Sequence, residues 1–331
     1  MELIITLLLF VVGLIMIIKG GDFFVDAASW FAEISGIPKL IVGATVVSFA
    51  TTLPELLVST FAAIQGRQLN DVGKVDMAIG NAVGSVTANI ALIMAIALIF
   101  MPSVIKRKDY LLKSCLMIGA AVILTIASSQ GALGWIPAIL LIIIFAGAMT
   151  ENVYAAVTTM RADRAAGQAE ERPSIERKVL IVNIVKFVVG VVGIVWGADI
   201  LVDKGSALAA QIGIPEGIIG VTVIAVGTSL PELVTTLTAI SKKQADLSAG
   251  NIIGANIIDL TMILPINMIA FGGNLPFSAQ AARVDLPACL LVGLIATVPA
   301  LIAGKFRRWQ GVVLLIIYIA YVVISCTGVL A

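Results

Sequence analysis

The sequence predicts an all-α polytopic membrane protein of ten transmembrane helices, arranged as two inverted five-helix repeats. Three observations carry that expectation. The first is composition: 60% apolar residues, 12% charged residues and a mean hydropathy of +1.10, where soluble domains carry roughly a quarter charged residues. The second is a duplication. Residues 36–60, GIPKLIVGATVVSFATTLPELLVST, align without a gap on residues 213–237, GIPEGIIGVTVIAVGTSLPELVTTL. The third is a series of apolar runs of about twenty residues, the length that crosses a bilayer core. They fall into two equal sets separated by the polar stretch 156–178.

The first set lies at 3–20, 39–65, 76–100, 109–128 and 134–155; the second lies at 179–202, 215–240, 246–271, 284–303 and 309–330. Five is odd, so the second set must start on the opposite face of the membrane and run inverted. The expected organisation is a first repeat over 1–155, a linker over 156–178 and a second repeat over 179–331. Basic residues test the arithmetic. One side receives Lys39, Lys106, Arg107, Lys108, Arg161, Arg164, Arg172, Arg177, Lys178, Lys242, Lys243, Lys305, Arg307 and Arg308, the other mainly Arg67, Lys74, Lys204 and Arg283. The positive-inside rule makes the first side cytoplasmic, which puts the linker inside and both termini outside a plasma membrane. The opening run lacks a basic n-region, and its internal counterpart at 179–202 cannot be a leader, so it reads as a retained helix. The linker reads as a helix extension plus a short connector. Cys115, Cys289 and Cys326 have no metal or redox spacing and read as inert thiols. The net charge of +1 adds nothing on partners; membrane lipid is the expected surround, with no nucleic acid and no obligate protein partner.

The duplication sets Pro54 on Pro231, Glu55 on Glu232, Asp22 on Asp199 and Asp26 on Asp203. A second block follows, GNAVGSVTANI from Gly80 and GNIIGANIIDL from Gly250. A carboxylate at mid-membrane depth costs about 2.5–3.5 kcal/mol on insertion scales, so Glu55, Glu232 and Asp259 each need a partner or a cavity. Apart from Lys39 at the very start of the first, no Lys or Arg shares their apolar runs, and a bound cation is the simplest counter-charge. Proline before each glutamate has no amide proton to give the carbonyl four residues back, Ala50 or Gly227, so both helices should bend there. Freed carbonyls in such broken helices are ready cation ligands. Ser48, Thr51, Thr52 and Glu55 share one helical face, as do Ala225, Thr228, Ser229 and Glu232. Ser85 with Asn89, and Ala255 with Asp259, project from one side at i, i+4. Gly80, Gly84, Gly250 and Gly254 allow close helix packing. Together these would gather Glu55, Glu232, Asp259 and Asn89 around one volume, an all-oxygen site suited to calcium and sodium. Soft metals would want Cys, Met or His, and the chain has no His.

Each part has a plainer explanation. Glycine stripes serve helix packing in many membrane proteins, and Ser or Thr on a membrane helix often bonds back to its own backbone. The duplicated set outweighs these. Asp22, Asp26, Asp199 and Asp203 read as interfacial or capping groups, with Lys19 and Asp22 paired across one turn.

At ATTLPEL from Ala50 and GTSLPEL from Gly227, with the two G-N-x-x-G blocks, the chain resembles the calcium/cation antiporter superfamily, and within it the prokaryotic type of sodium/calcium exchanger. The resemblance spans both repeats. It implies alternating access, one calcium exchanged for several sodium ions, with no resident cofactor. By that resemblance Glu55, Glu232 and the carbonyls of Thr51 and Thr228 surround calcium. Sodium positions involve the carbonyls of Ser48 and Ala225, with Thr52 and Ser229 nearby, and Ser85 with both glutamates. Asn89 and Asp259 hold the central position, and the first and sixth helices slide against the rest. Two departures stand out: Ala255 replaces a serine, removing one hydroxyl ligand, and Thr52 stands where serine is commoner. The alternative driver is the proton, motivated by Ala255 and by carboxylates that take up protons. The same oxygen ladder in a channel would conduct without counter-ion coupling. An intramembrane hydrolase would need a dyad or a G-x-S-x-G elbow, and the chain has no such elbow and no His; no enzyme is expected.

Overall fold

A computed structural model describes residues 2–37, 39–100, 107–165, 176–211, 229–242 and 245–327. The first half comprises α1 (Glu2–Ser35), α2 (Lys39–Val42), a π-turn over Gly43–Val47, α3 (Ser48–Thr51), α4 (Leu53–Leu69), α5 (Val72–Ala88), a π-turn over Asn89–Met94, α6 (Ala95–Phe100), α7 (Arg107–Ser129) and α8 (Trp135–Ala165). The second half comprises α9 (Arg177–Gln211), α10 (Leu230–Ser241), α11 (Ala245–Ile258), a π-turn over Asp259–Ile263, α12 (Leu264–Phe271), a π-turn over Ala281–Asp285, α13 (Leu286–Ala303) and α14 (Arg308–Thr327). Two short strands, β1 (Ala132–Leu133) and β2 (Leu275–Pro276), pair antiparallel with Leu133 opposite Leu275.

Among the described residues eight helices are long and apolar enough to cross a membrane, or nine if the bent pair Gly43–Thr51 and Glu55–Leu69 is one span. The expected run at 215–240 is described only from Ser229, so part of it lies outside the described residues. Several helices outrun their apolar stretches. α1 continues past residue 20 to Ser35, where Gly36 at φ +69° ends it. No proline interrupts residues 21–35, and Gly20 and Gly21 are kept helical by packing: a Cβ on Gly20 would stand 2.8 Å from the Ile194 amide nitrogen.

The helices sort into a buried pair and an exposed apolar periphery. The spans built on α5 and α11 are 72% and 78% buried, against 12% for α1 and 17% for α9. That difference puts α5, α11 and their π-turns at the centre. Val83, Val86, Ile90, Ile258 and Leu260 form the core there, while Leu3, Ile4, Leu8 and Ile15 of α1 face outward. α1 and α9, the leading helices of the two repeats, pack along each other. A Cβ on Gly190 would lie 2.7 Å from the Phe24 nitrogen, and Phe24 stacks on Phe187 at 4.9 Å.

Two of the basic residues expected to be cytoplasmic reach neighbouring helices. Arg107 donates to Ile302 O at 2.5 Å, and Lys242 reaches Asp22 at 3.3 Å and Asp26 at 3.0 Å. Elsewhere β1 meets β2, and the Arg67 guanidinium lies against Gly272. Lys19 pairs with Asp22 at 3.8 Å, as the i, i+3 spacing predicts. Asp203 pairs with Lys204 at 2.6 Å, and the Asp199 side chain lies outside the described residues.

Candidate ion-binding site

The two proline-glutamate pairs open helices at matching backbone positions, the first of them at a break. Thr52 separates α3 from α4 with φ −82° and ψ −4°, and the helix axis turns by 48° across that break. Ser229, its repeat partner, precedes α10 with φ −87° and ψ 5°. Both residues occupy the sparsely populated bridge region, and in both cases proline follows at the first positions of the new helix. The glutamate therefore falls in the first turn of each new helix, at the positive end of the helix dipole.

Around these helix starts the chain concentrates buried oxygen. Ser48, Thr51, Thr52, Glu55, Ser85, Asn89, Ser229, Glu232 and Asp259 are each at most 2% exposed. The three carboxylates are close enough to repel one another, Glu232 and Asp259 both acting on Glu55 and Glu232 also on Asp259. Neither oxygen of any of the three makes a well-formed hydrogen bond to protein, nor do Ser85 Oγ, Ser229 Oγ and Asn89 Oδ1. The Thr51 and Thr52 hydroxyls stand beside Glu232, but their protons go elsewhere: Thr52 Oγ1 donates to Ser48 O at 2.6 Å, and Thr51 Oγ1 is shared between Ser48 O and Asn251 Oδ1, both at 3.3 Å. Burying polar groups unpaired costs several kcal/mol, of order 1–3 kcal/mol for each neutral group and more for a charge.

Asn89 and Asp259 each open a π-turn, at equivalent places in the two repeats. A π-turn widens the helix and displaces side chains from regular spacing, a feature frequent at functional sites. Among the described residues no three His, Cys, Asp or Glu side chains converge closely enough to hold a metal on their own. An ion here would draw its remaining ligands from hydroxyls, amides and carbonyls, which suits hard, oxygen-seeking cations. Ala255 is fully buried and brings no hydroxyl opposite Ser85. Of the expected site residues, Ala225 and Thr228 lie outside the described residues.

Three polar groups beside the site, Asn81 half-buried and the other two buried, escape a reading of spacing alone. Asn81 Nδ2 donates to Glu55 O at 3.2 Å and Ser59 Oγ at 2.9 Å. Its repeat partner Asn251 donates to Thr235 Oγ1 at 3.0 Å and accepts from Thr51. Asn256 Oδ1 accepts from Asn89 Nδ2 at 3.1 Å. For the first two the signal was present: asparagine recurs in both G-N-x-x-G blocks, although glycine packing explains only the glycines. Farther toward the Arg107 end, buried Lys113 pairs with Glu151 at 2.6 Å and also donates to Asn152, which donates to Ala44 O at 3.4 Å. Nothing in the local sequence marks Lys113, because its partners come from another helix. Of the cysteines, Cys289 is buried and Cys115 exposed.

Comparison with known proteins places these features in context. The family described as sodium/calcium exchanger protein matches residues 5–152 and 182–327. Sodium/calcium exchanger MaX1 of Methanosarcina acetivorans is 28% identical over 97% of this chain and 98% of its own length. Inner membrane protein YrbG of Escherichia coli is 30% identical over 87% of this chain and 86% of its own. A solved structure of the sodium-calcium exchanger NCX_Mj, soaked with sodium and strontium, superposes with a TM-score of 0.79. It is 27% identical and covers 97% of this chain and 99% of that one.

Proposed function

We propose, for a chain that belongs to the sodium/calcium exchanger family, that it is a secondary antiporter moving calcium against sodium by alternating access. The family is one of transporters of calcium and sodium, and this chain is a multi-pass helical membrane protein. The observation that carries the finer reading is the set of three buried carboxylates, Glu55, Glu232 and Asp259, with no well-formed hydrogen bond from protein. Cations are the counter-charge such a set calls for.

In this reading calcium is held by Glu55, Glu232 and the carbonyls of Thr51 and Thr228. Sodium uses the carbonyls of Ser48 and Ala225, with Thr52, Ser229 and Ser85, and Asn89 and Asp259 hold the central position. Carboxylates shared between overlapping positions make occupancy by calcium and by several sodium ions mutually exclusive, and that exclusion is the physical basis of exchange. Ten spans in two inverted repeats, 1–155 and 179–331 joined by 156–178, then place both termini outside a plasma membrane. The meetings of same-side ends, Arg107 with Ile302 and Lys242 with Asp22 and Asp26, support that arrangement. The paired α1 and α9 slide against the remainder to expose the site to either face.

One observation favours a second reading, calcium exchange driven by protons: Ala255 provides no hydroxyl to a sodium ion. Proteoliposomes loaded with sodium and diluted into sodium-free medium decide between the two. Radioactive calcium uptake that requires internal sodium, and that Glu232→Gln abolishes without loss of folded protein, is the expected result. Uptake indifferent to sodium but driven by a pH gradient would favour the proton, and full activity of Glu232→Gln would remove the site altogether.

A further inference from the structure

The two glutamate-bearing helix starts belong to different repeats, and one side chain links them. Asn251 lies on α11, 1% exposed. Its Oδ1 accepts from Thr51 Oγ1 at 3.3 Å, on the last residue of α3. Its Nδ2 donates to Thr235 Oγ1 at 3.0 Å, one turn beyond Glu232 on α10. Thr235 Oγ1 in turn donates to the carbonyls of Pro231 at 2.8 Å and Glu232 at 3.1 Å. The result is a relay running from Thr51 through the Asn251 amide to the backbone of Glu232. A parallel contact strengthens it: Ser48 Oγ reaches the Asn251 carbonyl at 3.0 Å. The helices meet closely enough here that a Cβ on Gly254 would strike Ser48 Oγ and lie 2.7 Å from the Ala44 Cα.

We propose that Asn251 is a positioning residue that braces the two helix starts against each other, and thereby sets the width and ion selectivity of the site between them. A primary amide is suited to this place because it accepts toward one repeat and donates toward the other. Aspartate could accept but not donate, and a hydroxyl is too short to span both. Groups that hold ligands in place tune a cation site nearly as strongly as the ligands do. The repeat partner Asn81 holds the Glu55 carbonyl directly, so each glutamate-bearing helix start has an asparagine brace, and among the described residues only Asn251 joins both. The inference rests on the proposed ion site, and the test separates the two.

Calcium and barium uptake are compared in proteoliposomes for the wild type, Asn251→Ala, Thr51→Val and the double variant, with Glu232→Gln as the control for the site itself. Thr51→Val keeps the backbone carbonyl and removes only the hydroxyl that meets Asn251. A loosened brace should raise the calcium KM about tenfold, the equivalent of one buried hydrogen bond. It should also raise the ratio of barium to calcium uptake, because a wider site accepts the larger ion. The double variant should be no worse than either single one, since both cut the same relay. A merely structural role would lower both ions alike and leave their ratio fixed. If Asn251→Ala does not fold, Thr51→Val and Thr235→Val cut the relay at its two ends and should show the same ratio shift without adding. An unchanged barium-to-calcium ratio in these variants, with Glu232→Gln inactive, would overturn the brace while leaving the site. Activity in Glu232→Gln would overturn both.

Discussion

Ala255 and Ser85 occupy equivalent positions on α11 and α5, and both are buried. They differ by one oxygen, which a small substitution can restore. Ala255→Ser adds a hydroxyl where the second repeat lacks one, at a cost in volume that is modest because serine exceeds alanine by a single atom. In the proposed exchanger the sodium KM should fall several-fold, by about the tenfold that one ion–oxygen contact of ~1.4 kcal/mol represents, while the calcium KM stays near its original value. Sodium titrations of calcium efflux measure both. An unchanged sodium KM would mean that Ala255 faces packing instead of an ion. At the same scale, the glutamates illustrate what buried charge demands: loss of one carboxylate in Glu232→Gln should lower calcium uptake at least about a hundredfold, because a divalent ion loses a charged ligand in a dry site.

Helix breaks and close contacts decide whether these residues meet. α3 and α4 are two halves of one expected span, turned by 48° at Thr52, and the bend follows from proline chemistry that the sequence already contains. The approach of α11 to the Gly43–Val47 π-turn follows instead from an absent side chain at Gly254. Gly43 O there receives both the Ser48 amide, five residues on, and Ser48 Oγ at 2.7 Å. Gly254→Ala would push a methyl into backbone that has little room to move, since the nearest Ala44 atoms are Cα and O. Overpacking of this kind costs typically about 1–3 kcal/mol. A lower melting temperature in detergent, together with weakened calcium binding, is the expected outcome, and a melting temperature equal to wild type would show that α11 has slack.

Across the whole molecule, α1 and α9 pack on each other beside the buried core, meeting the rest chiefly through α2, α3 and α10, and are exposed over most of their apolar length. That partition fits a core that holds the ions and a two-helix element that moves past it, since few core contacts need break when the outer pair shifts. The glycine seam between α1 and α9 keeps the pair together. A Cβ on Gly190 would press on Phe24 N at 2.7 Å and Gly20 O at 2.9 Å. Gly190→Ala should therefore separate motion from binding: calcium affinity in detergent is retained, while exchange in proteoliposomes slows about tenfold. Equal loss of both would assign the seam to stability alone.

The residue order carried a large share of this. Hydropathy marked most of the membrane spans, duplication paired the two halves, and proline followed by glutamate pointed within two residues to the break at Thr52 and the helix start at Ser229, because each of these is a local property of the chain. The matching backbone angles at Thr52 and Ser229 show how far local chemistry reaches. Helix ends were less legible, as at α1, since glycines that weaken a helix in isolation are held helical by a neighbour. What required the folded chain is the partnership of distant side chains: Asn251 with Thr51, two hundred positions away in sequence, Lys113 with Glu151, and β1 with β2. Those pairings depend on how helices cross and how closely glycine lets them approach, and spacing along one helix contains no information about the face of another.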